Sequence, residues 1–405
     1  MRGLKLTLVA LVACAACAAC GGDVTEPTEN IDPTPPAFLG VLGRGQIQDR
    51  FTGEVAASGN VAYTTTWGFR VLGGNAVYVW NVSGMPVLAD SMIVDNSIGP
   101  INTLGDVQIT PDGQYLVVAT EPTGSIVVYD RTDPLHPTFV SQFSSPNTLA
   151  GVHTAKLAEV DGTLYGFLQI DPRAGQPARL TIVDMSDMEN ITEVYSRVMG
   201  APFVHDVFVR DGLLFAALWN DGMTIFDIGG GGQGGSPSNP VILGNVQTET
   251  GQIHNIWWFH DPVSGSKKYV FMGEEGPGSV QSNTSSGDIY VVDISTLGFP
   301  QVVATFRVPG AGTHNFWVDE PSGILYAAYY NGGVRAIDIR GDLGTCAAGD
   351  RTTGGYCSLN AMDREVGRGA TNGFFVWGVT GIGDRLFASD MASGLLVVDI
   401  SPLKR

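Results

Sequence analysis

Four of the chain's six histidines recur in one local setting, each just ahead of an alternating apolar run. They are His153 in "GVHTAKLAEVDG", His205 in "FVHDVFVRDG", His254 in "QIHNIWWFHD" and His314 in "GTHNFWVDEPSG". Neutral imidazole is a good ligand for zinc, iron and copper, so a shared position for four of them is where chemistry would sit. Polar residues follow at once in three copies: Asp206, Asn255 and Asn315. No G-x-S-x-G elbow, H-E-x-x-H helix or phosphate-cradling loop is present, so chemistry here would have to be built from a metal or from acids. Whether the protein is an enzyme stays open at this point.

The elements that must position these side chains come from a repeat. One phrase returns seven times: "VYVWNVS" (Val77–Ser83), "IVVYDRT" (Ile126–Thr132), "LTIVDMS" (Leu180–Ser186), "MTIFDIG" (Met223–Gly229), "IYVVDIS" (Ile289–Ser295), "VRAIDIR" (Val334–Arg340) and "LVVDIS" (Leu396–Ser401). Each is a β-branched run that ends on Asp or Asn, which reads as a buried strand leaving through an Asx-type turn. Successive acidic positions lie between 43 (Asp184 to Asp227) and 66 (Asp227 to Asp293) residues apart, the period of a four-stranded blade with insertions. Upstream of the phrase come hairpins with D-G or G-D turns, as in "VFVRDGLLFAALW"; downstream comes a fourth run that often starts with Pro, as in "NPVILGNV". The last copy, "VVDISPLKR", lacks that fourth run, and "PPAFLGVLG" (Pro35–Gly43) supplies one at the other end. The reading is an all-β chain: a seven-bladed β-propeller over residues 38–405, its last blade closed by an N-terminal strand, which removes both sheet edges.

Aligned on the hairpin turns, the histidine position reads Gly53, Gly105, His153, His205, His254, His314 and Trp377. First strands of propeller blades line the central channel, so the four imidazoles are expected at one mouth. The loops between second and third strands open on the same face. The expected mouth lining is therefore Asp206, Asp221, Asn255, Glu274, Glu275, Asn315, Asn331 and Asp390. Three readings compete: a transition-metal site (Zn, Fe or Cu) on the four histidines, a non-metal ligand site, and a framework in which each His bonds a neighbouring turn. His136 is expected in solvent, His260 at the opposite mouth or in a turn, and Trp257, Trp258, Trp317 and Trp377 in packing between blades.

The phrases "LTIVDMS", "IYVVDIS" and "LVVDIS", with the "HD" and "HN" starts of the inner strands, resemble the LVIVD repeat family of exported propellers. That resemblance covers essentially the whole chain after its first segments and implies the fold. It implies no activity, because the family carries none to transfer.

The opening "MRGLKLTLVALVACAACAACGGD" has a basic start, a short apolar core and small residues before cysteines, which reads as a lipoprotein-type signal region over residues 1–20. Cys14, in "LVAC", and Cys20, in "AACGGD", are alternative lipidation sites. Residues 21–37 are rich in Pro, Thr and acids and read as a flexible tether. The expected location is the cell envelope: an outer-membrane lipoprotein, the periplasm or the cell surface. A net charge of -18 argues against nucleic acid as a partner. A small ligand or a cell-envelope protein is expected instead, with membrane contact through the lipid anchor, on a monomer. Cys346 and Cys357 flank a Gly-rich loop and read as a disulfide, worth about 2 to 3 kcal/mol in the chain-entropy account. The function read from the sequence is a surface binding or interaction module acting through a His/acid-lined mouth; the alternative is a metal-dependent hydrolase or oxidase at that mouth.

Overall fold

The computed structural model describes residues 36–404 apart from 96, 174, 201 and 277–285. The signal region, Cys14 and Cys20, and the tether up to residue 35 lie outside the described residues. From there the chain folds into seven antiparallel sheets of the expected kind. Blade three, for example, runs Val152–Val160, Thr163–Ile170, Arg179–Asp184 and Thr192–Val198 in spatial order. Each inner strand packs against the next, and Val376–Ile382 of blade seven packs against Phe51–Ser58 of blade one, so the ring is closed.

The recurring phrase is the third strand of every blade. Its terminal Asp or Asn accepts a backbone N–H from two residues further on in all seven copies, at 2.6 to 3.1 Å. The hairpin glycines earn their place as well. Asp161–Gly162 and Asp211–Gly212 each hold two successive positive φ angles, the turn whose twist matches a tight hairpin. The apolar faces of neighbouring sheets meet between blades: Phe215 and Met223 of blade four interleave with Val270 and Met272 of blade five, for instance. The core is thus a wheel of inter-blade layers, and the axis is left for polar side chains.

Closure by the N-terminal segment holds, with one refinement of its extent. Val41–Gln46 pairs antiparallel with Gly394–Asp399 as the fourth strand of blade seven. The residues before it, Ala37–Leu39, run parallel to Glu365–Gly369 on the outer edge of blade six. Glu365–Gly369 is the fourth strand that the cysteine loop obscures in the sequence. Cys346 and Cys357 are disulfide-bonded, and Cys357–Ser358 extends blade five through a short parallel pairing with Gln301–Arg307.

Candidate functional site

The inner strands of blades three to six bring the four imidazoles into one contiguous arc. Ring centroids lie 4.5 Å apart for His153 and His205, 3.9 Å for His205 and His254, and 3.9 Å for His254 and His314. The arc ends on Trp377, 4.6 Å from His314. Below it the axial channel encloses about 320 Å³ lined by Glu54, Asp106, Asp206, Asn255 and Asn315.

The hydrogen bonds separate the framework reading from a ligand reading. A framework histidine would bond a neighbouring turn; among the described residues none of these four rings makes a well-formed hydrogen bond to a backbone group, although the backbone of His314 lies close enough to the His254 ring, and that of Trp377 to the His314 ring, to favour their charged forms. His254 is 2 % exposed, and neither of its ring nitrogens has a hydrogen-bond partner among the described residues. His205 Nδ1 is likewise buried and unpartnered, and its Nε2 meets only His153 Nε2, at 3.1 Å. Leaving a buried polar atom unsatisfied costs about 1 to 3 kcal/mol, so this concentration calls for an explanation in function rather than in folding. The turn-holding work falls to the next residue instead, where Asp206 and Asp106 each accept the N–H of the residue that follows, both at 2.7 Å.

Two carboxylates steer the ends of the arc. Glu121 Oε1 lies 2.5 Å from His153 Nδ1, and His153 Nε2 faces His205 Nε2 at 3.1 Å. Glu54 Oε1 stands 3.6 Å from His314 Nδ1. A third, Glu275, is anchored by the Tyr330 hydroxyl, which donates to it. A nitrogen of His205, a nitrogen of His254 and a carboxylate oxygen of Glu275 all lie within 4.8 Å of one another. A second such group, Glu121, His153 and Asp171, adjoins it.

Burial governs the protonation of these groups. His205, His254 and His314 are held well below the ordinary imidazole range, first by burial and then by neighbouring imidazoles, His153 among them, so all three rings are neutral at pH 7. Burial also pushes the Glu275 carboxyl up to about 7, against the pull of Tyr330. Glu54 rises to about 8 and Asp206 to about 7, again mainly through burial.

Not every expected lining residue joins the arc. Asp206, Asn255 and Asn315 line the channel, with Asn315 Nδ2 donating to Glu54 Oε2 at 2.7 Å. Glu274 turns the other way, because successive strand residues point to opposite faces, and accepts from Thr248 and Thr250. Asp390 caps the Phe375 N–H at 2.5 Å, and Asn331 donates to the Gly310 carbonyl at 2.8 Å. Asp221 sits in the loop after the second strand of blade four and has its backbone N–H bonded to Leu218. Trp377 packs between blades as expected, against Tyr330, Met391 and Trp67, and in addition donates Nε1 to Glu54 at 2.6 Å beside His314.

Glu54, Glu121, Asp171 and Tyr330 were not singled out in the sequence. Glu54 follows Gly53 just as Asp206 follows His205, so reading the repeat one residue further finds it. Glu121 and Asp171 end the second strands of blades two and three, the position Glu274 and Glu275 hold in blade five. That signal existed, but "ATEPTG" and "LQIDPR" share too little else to reveal it.

The fold is a closed seven-bladed β-propeller, and the four imidazoles line a polar cavity among its inner strands. Residues 203–248, which span blade four, match the LVIVD repeat family, so the resemblance seen in the recurring phrases extends to a full blade. No curated protein matches the chain.

Proposed function

We propose that the protein is a cell-envelope binding module, exported and lipid-anchored through Cys14 or Cys20, whose channel mouth holds a first-row transition dication. The observation that carries this reading is the pair of unpartnered nitrogens on His254, next to the unpartnered His205 and the anchored Glu275. A metal of the zinc, iron or copper type would satisfy all three at once, through nitrogen and carboxylate donors that suit such ions. The ligand atoms of His205, His254 and Glu275 lie within 4.8 Å of one another, wider than the roughly 3.3 Å edge of a zinc tetrahedron, so small side-chain shifts bring them onto one ion. The Glu121–His153 bond supports the same reading, because metal-bound imidazoles commonly hold a carboxylate on their other nitrogen. The bound ion would itself be the cargo, or would present a small ligand or an envelope protein to the mouth.

A second reading, a metal-dependent hydrolase or oxidase, is favoured by the small number of ligands. Two imidazoles and a carboxylate leave coordination positions for water or substrate. When bound, the metal would supply Lewis acidity; the chain's part is to orient the imidazoles and hold Glu275 through Tyr330.

The test is metal analysis of full-length protein purified without chelator or a nickel affinity step. One transition metal per chain is expected, with a loss of most of it in His205→Ala and His254→Ala. Metal-free wild type that takes up none on titration with zinc contradicts the reading.

A further inference from the structure

The second His/acid group differs from the first in one respect: a cation is already seated on it. Arg173 Nη2 bonds Glu121 Oε2 and lies 3.6 Å from Asp171 Oδ2. His153 Nδ1 is 2.5 Å from Glu121 Oε1 and 3.7 Å from Asp171 Oδ2. Glu121 is almost fully buried, and Asp171 Oδ1 is buried with no hydrogen-bond partner among the described residues. Two carboxylates face one guanidinium, and one of their oxygens is left without a hydrogen-bond partner among the described residues. The Arg173 side chain remains 37 % exposed, so it can leave for solvent without dragging a packed core with it.

We propose that Glu121, His153 and Asp171 form a second divalent-cation site, adjoining the first, for which Arg173 is a built-in competitor. The inference builds on the reading of the mouth as a metal site. His153 joins the two, because Nε2 faces His205 while Nδ1 faces Glu121 and Asp171. A divalent ion in the second site takes an Nδ1 lone pair once the imidazole proton shifts to Nε2, where His205 Nε2 can accept it, and it meets the two carboxylates with twice the charge of the guanidinium it displaces. Arg173 has a chelate advantage over any free ion because it is tethered two residues from Asp171. At micromolar metal the wild-type chain therefore holds one ion, and removal of the Arg173 charge makes room for two.

Zinc titration of the chelator-stripped full chain at pH 7, followed by calorimetry and metal analysis after desalting, tests this. Wild type is expected to retain one equivalent, Arg173→Leu two, and Arg173→Lys one, since a lysine restores a cation to the pocket. Arg173→Leu combined with His254→Leu should retain one, held by the second site alone. Arg173→Gln serves the same purpose if the leucine variant fails to fold. Variants lacking the Arg173 charge that bind no more zinc than wild type overturn the inference. A wild type without zinc contradicts the mouth reading, yet a gain of one equivalent in Arg173→Leu would still uphold the second site.

Discussion

Around one mouth, the two halves of the ring treat the same strand position in opposite ways. In blades seven, one and two the position is Trp377, Gly53 and Gly105, and the carboxylates that follow the two glycines are paired. Glu54 accepts from both Trp377 Nε1 and Asn315 Nδ2, and Asp106 accepts the N–H groups of Val107 and Ala155. At Gly105 no side chain fits, since a Cβ would stand 1.9 Å from the His153 carbonyl oxygen. In blades three to six the position is histidine; His153 is bonded to Glu121 and His205, whereas nitrogens of His205, His254 and His314 are buried without partners among the described residues. One half pairs its carboxylates, and the other leaves imidazole nitrogens that the fold does not use.

If that division is right, substitutions in the two halves must separate stability from binding. Glu54→Ala strands two buried donors and should cost about 3 kcal/mol of stability, measured by denaturant unfolding of metal-free protein. A cost under about 1 kcal/mol would mean that this half is no more structural than the other. The pH dependence of the metal-free protein comes next. The folded pKa of His205, His254 and His314 lies well below the unfolded value of 6.5, and His260 is depressed to about 4, first by burial and then by Arg210 and Lys267. Below pH 6.5 these histidines take up more protons in the unfolded chain and so favour unfolding as the pH drops toward 4, while Glu54, Asp206 and Glu275, raised to about 8, 7 and 7 in the folded protein, favour folding over the same fall. The imidazole share is read as a difference: His254→Leu should lose less stability than wild type between pH 7 and 5, and identical profiles would show that ring already charged or solvated. The smallest effect is expected of His254→Leu in metal-free protein: a change within about 0.5 kcal/mol, or a gain, because no hydrogen bond is lost and two unsatisfied atoms go. A framework histidine would instead cost 1 kcal/mol or more.

The architecture was legible because it is written in a repeated local code. Seven Asp or Asn endings, D-G turns and Pro-led fourth strands each report a nearest-neighbour bond, and the structure contains those bonds where the sequence places them. The N-terminal closure was legible as a missing strand, although its split at Gly40 between two blades was not, since "AFL" and "VLGRGQ" carry the same apolar pattern. The four imidazoles were legible through their common register. Their partners were less so. Glu274 and Glu275 are adjacent in sequence and point to opposite faces, and only the pleat decides which of them reaches the arc. Glu121, Asp171 and Arg173 converge from two blades, a relation that depends on ring geometry and leaves no local trace.

The most direct test of the account is anomalous diffraction at the zinc edge from crystals of the full chain equilibrated with zinc at pH 7. The account predicts one strong peak at the mouth, within bonding distance of His205, His254 and Glu275, and a second beside His153 only in Arg173→Leu. Crystals that diffract well and show no anomalous peak on the imidazole arc would contradict it.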